Sequence, residues 1–377
     1  MLALALGLQG AGHDVRLTVP PDFEDWAKPY GCPLRSLGPG FRDNPEMRDA
    51  GLRSFARFTR REVSAEIRDL PEIAPGSDLI VAAGLAFGAH SVAEHLRIPY
   101  RLVVFAPLAM MGTDKDPIRM HVASWFARTM TNANLRSLLN RERATLSLPP
   151  LPDVMASWAG TRPISATDRA LNCLPDRAVP KSVQTGYMHL HQHGGLRPEL
   201  EAFLTDGPSP VYVGFGSLPI THPEKLARLL GEVASALQRR LIVLAKGFSL
   251  DGLASDPRCL VITEVPLEQL FPRVAVAVHH GGAGTVATAA RAGVPQVVIP
   301  FMFDQFQWAA HVAKLGLGPC VGSFRTLSPR KLIAAISECL SNPRYSSRAR
   351  ELAVELAGTD GVALTVKLLE EQYGRVT

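Results

Sequence analysis

The run His279-His280-Gly281-Gly282-Ala283-Gly284-Thr285 is the part of the chain best built for chemistry. It follows Val274–Val278, an apolar stretch that reads as a strand, and leads into Thr285–Arg291, which reads as a helix. Glycines let a backbone turn tightly and come close to a ligand. A helix N-terminus aims unpaired N–H groups and a positive dipole end at whatever lies before it. A diphosphate is the natural occupant of such a turn. The run is not a P-loop, because no Gly-Lys-Ser/Thr closes it, and it lacks the G-x-G-x-x-G spacing of nicotinamide and flavin sites. The plain alternative is a ligand-free β–α turn that needs only small residues. For the histidine pair the alternatives are a packed strand end and a metal pair. Adjacent strand residues point to opposite faces, which counts against one shared metal.

A second polar pair, Asp304 and Gln305, lies just past the strand expected over Gln296–Ile299. Open α/β sheets bind ligands at that edge. A carboxylate and an amide suit sugar hydroxyls, which both donate and accept hydrogen bonds. The alternative is a solvated loop in which Asp304 caps a helix over 305–314.

The elements that must position these residues alternate in type. Val211–Phe215, Leu241–Ala245, Leu260–Thr263, Val274–Val278 and Gln296–Ile299 read as strands. Helices fall between them and at the end of the chain, opened in one case by Thr221-His222-Pro223-Glu224, which has capping-box spacing. The first half repeats the theme: a helix over Leu2–Gln9, strands over His13–Val19, Asp78–Ala83 and Tyr100–Ala106, and a helix over Ala89–Leu96. Strands alternating with helices imply parallel sheets covered on both faces. Residues 110–165 read as mostly helical, a variable cap over a pocket. Gly and Pro clusters around 189–209 mark a domain boundary.

At 377 residues the chain has room for two domains. Its formal charge of +5 is mildly basic, with no Lys/Arg-rich run of the kind that binds nucleic acid. Five cysteines without a C-x-x-C pair fit neither a disulfide framework nor a zinc site. No apolar run is long enough to span a bilayer. The reading is a cytoplasmic enzyme with no nucleic-acid partner and at most peripheral membrane contact.

His279–Thr285, then Ala292-Gly293-Val294-Pro295-Gln296-Val297-Val298-Ile299-Pro300, then Asp304-Gln305 resemble the donor signature of the family 1 glycosyltransferases. The similarity is closest to the bacterial and fungal branch that acts on sterols and antibiotics. Val211–Leu218, and Val265-Pro266 through Leu270-Phe271-Pro272, resemble the same branch. The likeness is specific over 195–375 and looser over 1–110, in Ala11-Gly12-His13-Asp14-Val15 and Pro20-Pro21-Asp22-Phe23.

The resemblance implies an α/β protein of GT-B fold, two Rossmann-like domains facing a cleft. An acceptor domain would occupy 1–193 and a nucleotide-sugar domain 194–377, with the last helix crossing back to the first. It implies that His280 binds phosphate, with His279 retained beside it because the motif can be placed one residue either way. Gly282, Ala283, Gly284 and Thr285 would contact the diphosphate, and Gly216 and Ser217 the nucleotide. Val265 would meet the base through its backbone, and Asp304 and Gln305 would hold the sugar. The implied reaction is inverting transfer of a hexose with no metal and no cofactor. UDP-glucose is the first donor and a dTDP sugar the second. The acceptor is a hydrophobic sterol, lipid or polyketide, near Phe105, Met110, Met111 and Trp125, with Phe126 beside them.

The family starts with a strand and a glycine loop that carries the base, and this chain starts inside the first helix. A strand and loop of roughly 10–20 residues would lie upstream. The expectation is a gap at the centre of the N-terminal sheet, from either a late start or a true short form. No catalytic residue is assigned. His13 and Asp14 fall at the wrong sheet edge. Asp22 and His90 fall at the right one but read as capping or surface residues. Two rivals stand: a nucleotide-sugar epimerase of the same fold, and a non-catalytic or truncated, inactive nucleotide-sugar binder.

Overall fold

Strict alternation of side chains builds the sheet of the second half. Val211, Val213, Val276 and Val278 face one core cluster, while Tyr212 and Ala277 face another. This is the period-two pattern of a strand buried on both faces. The structure, a computed structural model, describes residues 1–40, 52–106, 118–174, 181–192, 194–216, 220, 222–302 and 304–374. It divides into two compact units, 1–167 with 174–190 and 360–377, and 168–173 with 191–359. The last helix, Gly361–Tyr373, thus groups with the first unit. Strands are numbered throughout, and helices where they have eight or more residues.

In the first unit, helix α1 (Leu2–Gly10) precedes strands β1 (Leu17–Val19) and β2 (Leu34–Ser36), which pair in parallel as a sheet of their own. Helix α2 (Leu52–Ile73) leads to β3 (Ile80–Ala83), α3 (Ala89–Leu96), β4 (Tyr100–Val104) and α4 (Ile118–Thr145). Strands β5 (Ile164–Ser165) and β6 (Val183–Gln184) complete a separate parallel sheet in the order β3-β4-β5-β6. Helix α1 lies on both sheets. Its Leu2 and Ala5 pack with Leu17 and Leu34, and its Ala3 and Leu4 with Val81 and Val103. Gly7 lets the last helix close on α1, since a Cβ there would stand 2.3 Å from Val362 Cγ1.

Strand β1 starts at Leu17 and not at His13. Gly12 turns the chain at φ +94°, and β2 offers only three residues to pair with. The Arg16 guanidinium donates to the Ile73 and Pro75 carbonyls at 2.6 and 3.1 Å.

Helix α2 carries Glu62 and Glu66 inward. Glu66 is 3% exposed, and its carboxyl accepts the Gly88 N–H at 2.6 Å, at the start of α3. The two helices touch here because residue 88 is glycine: a Cβ would stand 2.8 Å from Glu66 Oε2 and 3.2 Å from the Val63 carbonyl. Burial, helped by the Glu62 charge, pushes the Glu66 carboxyl up to about 8. Burial and Asp22 push Glu62 up to about 7.

The second unit opens with α5 (Pro198–Thr205) and holds β7 (Val211–Gly214), α6 (Pro223–Leu237), β8 (Leu241–Leu244), β9 (Cys259–Ile262) and β10 (Val276–His279). It continues with α7 (Ala283–Arg291), β11 (Gln296–Val298), α8 (Gln305–Lys314), α9 (Pro329–Ser341) and α10 (Pro343–Ala357). The five strands are parallel in the order β11-β10-β7-β8-β9. Helices α6 and α9 cover one face through Leu226, Leu230, Leu332 and Ile336. Helices α5 and α7 cover the other through Leu200, Leu204 and Ala289.

Candidate functional site

Three neighbouring strands deliver the sequence-selected residues to one place. His279 ends β10 directly opposite Gly214 on β7 and Val298 on β11. The turns that follow, at Gly216, at 280–284 and at 299–305, therefore leave the sheet at the same level. Phe215, Phe301 and Phe324 pack behind them, with ring centroids 4.0–5.5 Å apart. This aromatic backing holds the turns but has no sequence signature, because its members come from three separate segments.

His279 is fully buried and bonded within the chain. Its Nδ1 accepts the Gly281 N–H at 3.1 Å, so its Nε2 carries the proton and donates to Gln296 Oε1 at 3.0 Å. Burial, with the neighbouring His280, lowers its pKa to about 3, so it is neutral throughout the physiological range. His279 thus pins the glycine turn from inside. Gln296, itself 0% exposed, fixes the tautomer. Replacing Gln296 with leucine leaves a buried imidazole N–H unpaired. The expected loss is about 1–3 kcal/mol of stability in urea unfolding, and an unchanged midpoint would contradict it.

His280 leaves the strand on its own course. Its ring sits between two glycines: a Cβ on Gly216 would stand 2.7 Å from its Cε1, and one on Gly282 2.5 Å from its Nε2. Only glycine fits at 216 for a second reason, its φ of +68°. His280 Nδ1 is buried with no hydrogen-bond partner among the described residues. Burial lowers the His280 pKa to about 4, against the Gly214 carbonyl, which raises it. Helix α7 begins at the next turn with Gly282 as its N-cap and no side-chain cap. Its first N–H groups, at Ala283, Gly284 and Thr285, have no intrahelical acceptor. Residues 282–285 are partly exposed between buried Gly281 and buried Val286. A neutral imidazole beside an uncapped helix N-terminus offers an anion N–H donors and the positive end of a helix dipole.

Asp304 occupies the N-cap of α8, yet its carboxyl caps no N–H there. The capping alternative raised by the sequence is therefore not what the structure shows. Burial raises the Asp304 pKa. Gln305 spends its side-chain oxygen on the preceding turn, accepting the Phe301 and Met302 N–H groups at 2.8 and 3.2 Å. Val265 is half-buried past the end of β9. Ser217 lies outside the described residues.

In the first unit, Phe105 packs edge-on to Tyr187 with centroids 6.0 Å apart. Trp125 and Phe126 on α4 are 65% and 57% exposed. Their rings are surface groups and not core. Met110 and Met111 lie outside the described residues. His90, weighed as a base, is held at Nδ1 by the Ser157 hydroxyl at 3.0 Å, and His13 lies 3.4 Å from Glu370. Among the described residues no cluster of metal-ligating side chains occurs and no helix is long and apolar enough to cross a membrane.

A parallel sheet flanked by helices, with a glycine turn and an open helix N-terminus at its C-terminal edge, defines an open α/β protein of the kind that binds ligands at that edge. Its relatives narrow this class. Residues 227–371 match the family described as Erythromycin biosynthesis protein CIII-like, C-terminal domain. The vancomycin aglycone glucosyltransferase of Amycolatopsis orientalis is 34% identical, over 100% of this chain and 94% of its own length. The dTDP-epi-vancosaminyltransferase of the same organism is 36% identical, over 93% of this chain and 88% of its own. Among solved structures, the glycotransferase of kitacinnamycin superposes with a TM-score of 0.75 at 21% identity, covering 98% of this chain and 94% of that one. The chain belongs to the family 1 glycosyltransferases of GT-B fold. It is an enzyme of that class, moving a sugar from a nucleotide sugar to an acceptor.

Proposed function

We propose that the chain transfers a hexose from UDP-glucose, with a dTDP sugar as second choice, to a hydroxyl of a hydrophobic natural-product acceptor. Transfer proceeds with inversion and without a metal or cofactor, in the cytoplasm. The observation that carries this reading is the pairing of His280 with the open N-terminus of α7. As the anomeric bond breaks, charge gathers on the departing diphosphate. A helix N-terminus and an imidazole in a fixed position stabilise that charge without reorganising. In this reading Gly282, Ala283, Gly284 and Thr285 bind the diphosphate, with Gly216 and Ser217 beside the nucleotide and Val265 at the base. Asp304 and Gln305 hold the sugar, Gln305 through its NH2 because its oxygen is engaged. Trp125 and Phe105 contribute to the acceptor surface. The names of the two Amycolatopsis relatives support one donor each, a glucosyl donor and a dTDP sugar. No residue is assigned as the base.

The test is calorimetric titration with UDP, UDP-glucose and dTDP, followed by assay against a panel of aglycones with and without chelator. Binding of a sugar nucleotide, acceptor-dependent release of the free nucleoside diphosphate and chelator resistance are expected. Change of the donor sugar without any acceptor would favour an epimerase. Binding with no turnover on any aglycone would favour a non-catalytic nucleotide-sugar binder.

A further inference from the structure

Helix α8 buries one polar group that the site above leaves unused. Trp308 is 3% exposed, and its indole Nε1 is buried with no hydrogen-bond acceptor of normal geometry among the described residues. A buried, unsatisfied donor costs about 1–3 kcal/mol, and native structures carry few of them. Trp308 stands one helical turn after Asp304, with its backbone N–H on the Asp304 carbonyl at 3.0 Å. That spacing puts both side chains on one face of the helix. The Asp304 carboxyl bonds to no N–H of the helix it precedes. Burial raises the Asp304 pKa, and Trp308 works the other way, as a donor beside a carboxylate does. A carboxyl with no capping partner and an indole N–H with no other acceptor are therefore neighbours.

We propose that Trp308 is a positioning residue for sugar recognition: its indole N–H holds one oxygen of Asp304 and thereby aims the other at the hexose hydroxyls. The proposal rests on the reading of 279–305 as the donor site. A carboxylate offers two oxygens and about four acceptor positions. Left unpinned at the mouth of a helix, it would sample rotamers and lose orientation, and directed hydrogen bonds to hydroxyls depend on orientation. The effect of the indole runs entirely through Asp304, so the bare nucleotide diphosphate does not sense it.

The test compares the full chain with Trp308→Phe, Asp304→Asn and the double variant. UDP, UDP-glucose, dTDP and dTDP-glucose are titrated between pH 5 and 8. A bond to a charged acceptor predicts about tenfold weaker binding of the preferred sugar nucleotide in Trp308→Phe, with the bare diphosphate changed less than about twofold. The double variant should bind like Asp304→Asn alone. The acid limb of sugar-nucleotide binding should move to higher pH in Trp308→Phe, because the carboxylate loses a donor that favours its charged form. A packing role would not move that limb. Replacing Trp308 with β-(3-benzothienyl)alanine keeps the shape, removes only the N–H, and should reproduce the same losses. Equal weakening of diphosphate and sugar nucleotide, additive losses, or full affinity in the benzothienyl variant would each overturn the proposal while leaving the donor site standing. A folded wild type that binds none of the four ligands would overturn both.

Discussion

His280→Ala should bind the donor about 10- to 100-fold more weakly while folding normally, with the midpoint of thermal unfolding within about 4 °C of wild type. In the free protein the imidazole is neutral, because burial holds its pKa near 4. A diphosphate at the N-terminus of α7 adds an adjacent anion, which raises that pKa and lets the ring donate a charge-assisted hydrogen bond. Alanine removes this bond and leaves only the helix N–H groups. The cost to the fold is small, since the ring's Nδ1 is buried without a hydrogen bond of normal geometry among the described residues. Acid reverses the comparison. A histidine whose folded pKa lies below the unfolded value of 6.5 contributes stability above pH 6.5 and loses it as the pH falls towards 4. The variant escapes that loss, a relative gain of about 3 kcal/mol at pH 4 against pH 7. Calorimetry with UDP-glucose and urea unfolding at the two pH values read both effects. Undiminished affinity in the variant would remove His280 from the site.

The second half of the fold is legible in the sequence because its signals are local. Apolar strands, glycine stops and helix starts recur over short windows, and the sheet they predict is the one found over β7 to β11. The glycine run could be placed at a strand end by the same logic. The division of labour between His279 and His280 could not. Adjacent residues diverge, but which one turns into the core depends on β10 lying against β11, where Gln296 waits 17 residues later. Gln305 reads as a sugar ligand through the family resemblance, and that its side-chain oxygen also holds the turn before α8 is visible only in the structure. The sequence predicts β1 from His13 and the structure starts it at Leu17, because a strand's length is set by its partner and β2 is short. Glu62 and Glu66 were silent in sequence. Two carboxylates four apart on a charged helix look like a solvated face, and only the approach of α3 and the turn at Gly38 buries them.

That burial leads to the largest stability change expected in the molecule. Glu66→Gln should stabilise the first unit by about 3 kcal/mol at pH 7 and by about 5 kcal/mol at pH 9, with no gain at pH 4. The sign follows from the raised carboxyl. Unfolded Glu66 ionises near 4.5, whereas the folded group keeps its proton until about 8. Its contribution is complete below pH 4.5 and is lost as the pH climbs to 8. The Gly88 N–H and the helix behind it favour the anion, but they do not match the penalty of a side chain 3% exposed. Glutamine has the same shape, still accepts from Gly88 and never ionises, so it removes the slope without removing the cap. Alanine would remove both and destabilise at every pH, because the N–H would be left bare. Hydrogen exchange of the first turn of α3 confines the measurement to this unit, and comparison across pH 4 to 9 gives the slope. Parallel pH profiles for wild type and Glu66→Gln would show that the carboxyl ionises in the folded protein as it does in water. A steeper profile for wild type would show that the fold stores a proton at Glu66 near neutral pH. Glu62, one turn away and pushed up to about 7, would then titrate beside an uncharged neighbour, which is what allows two carboxyls to share one face of α2.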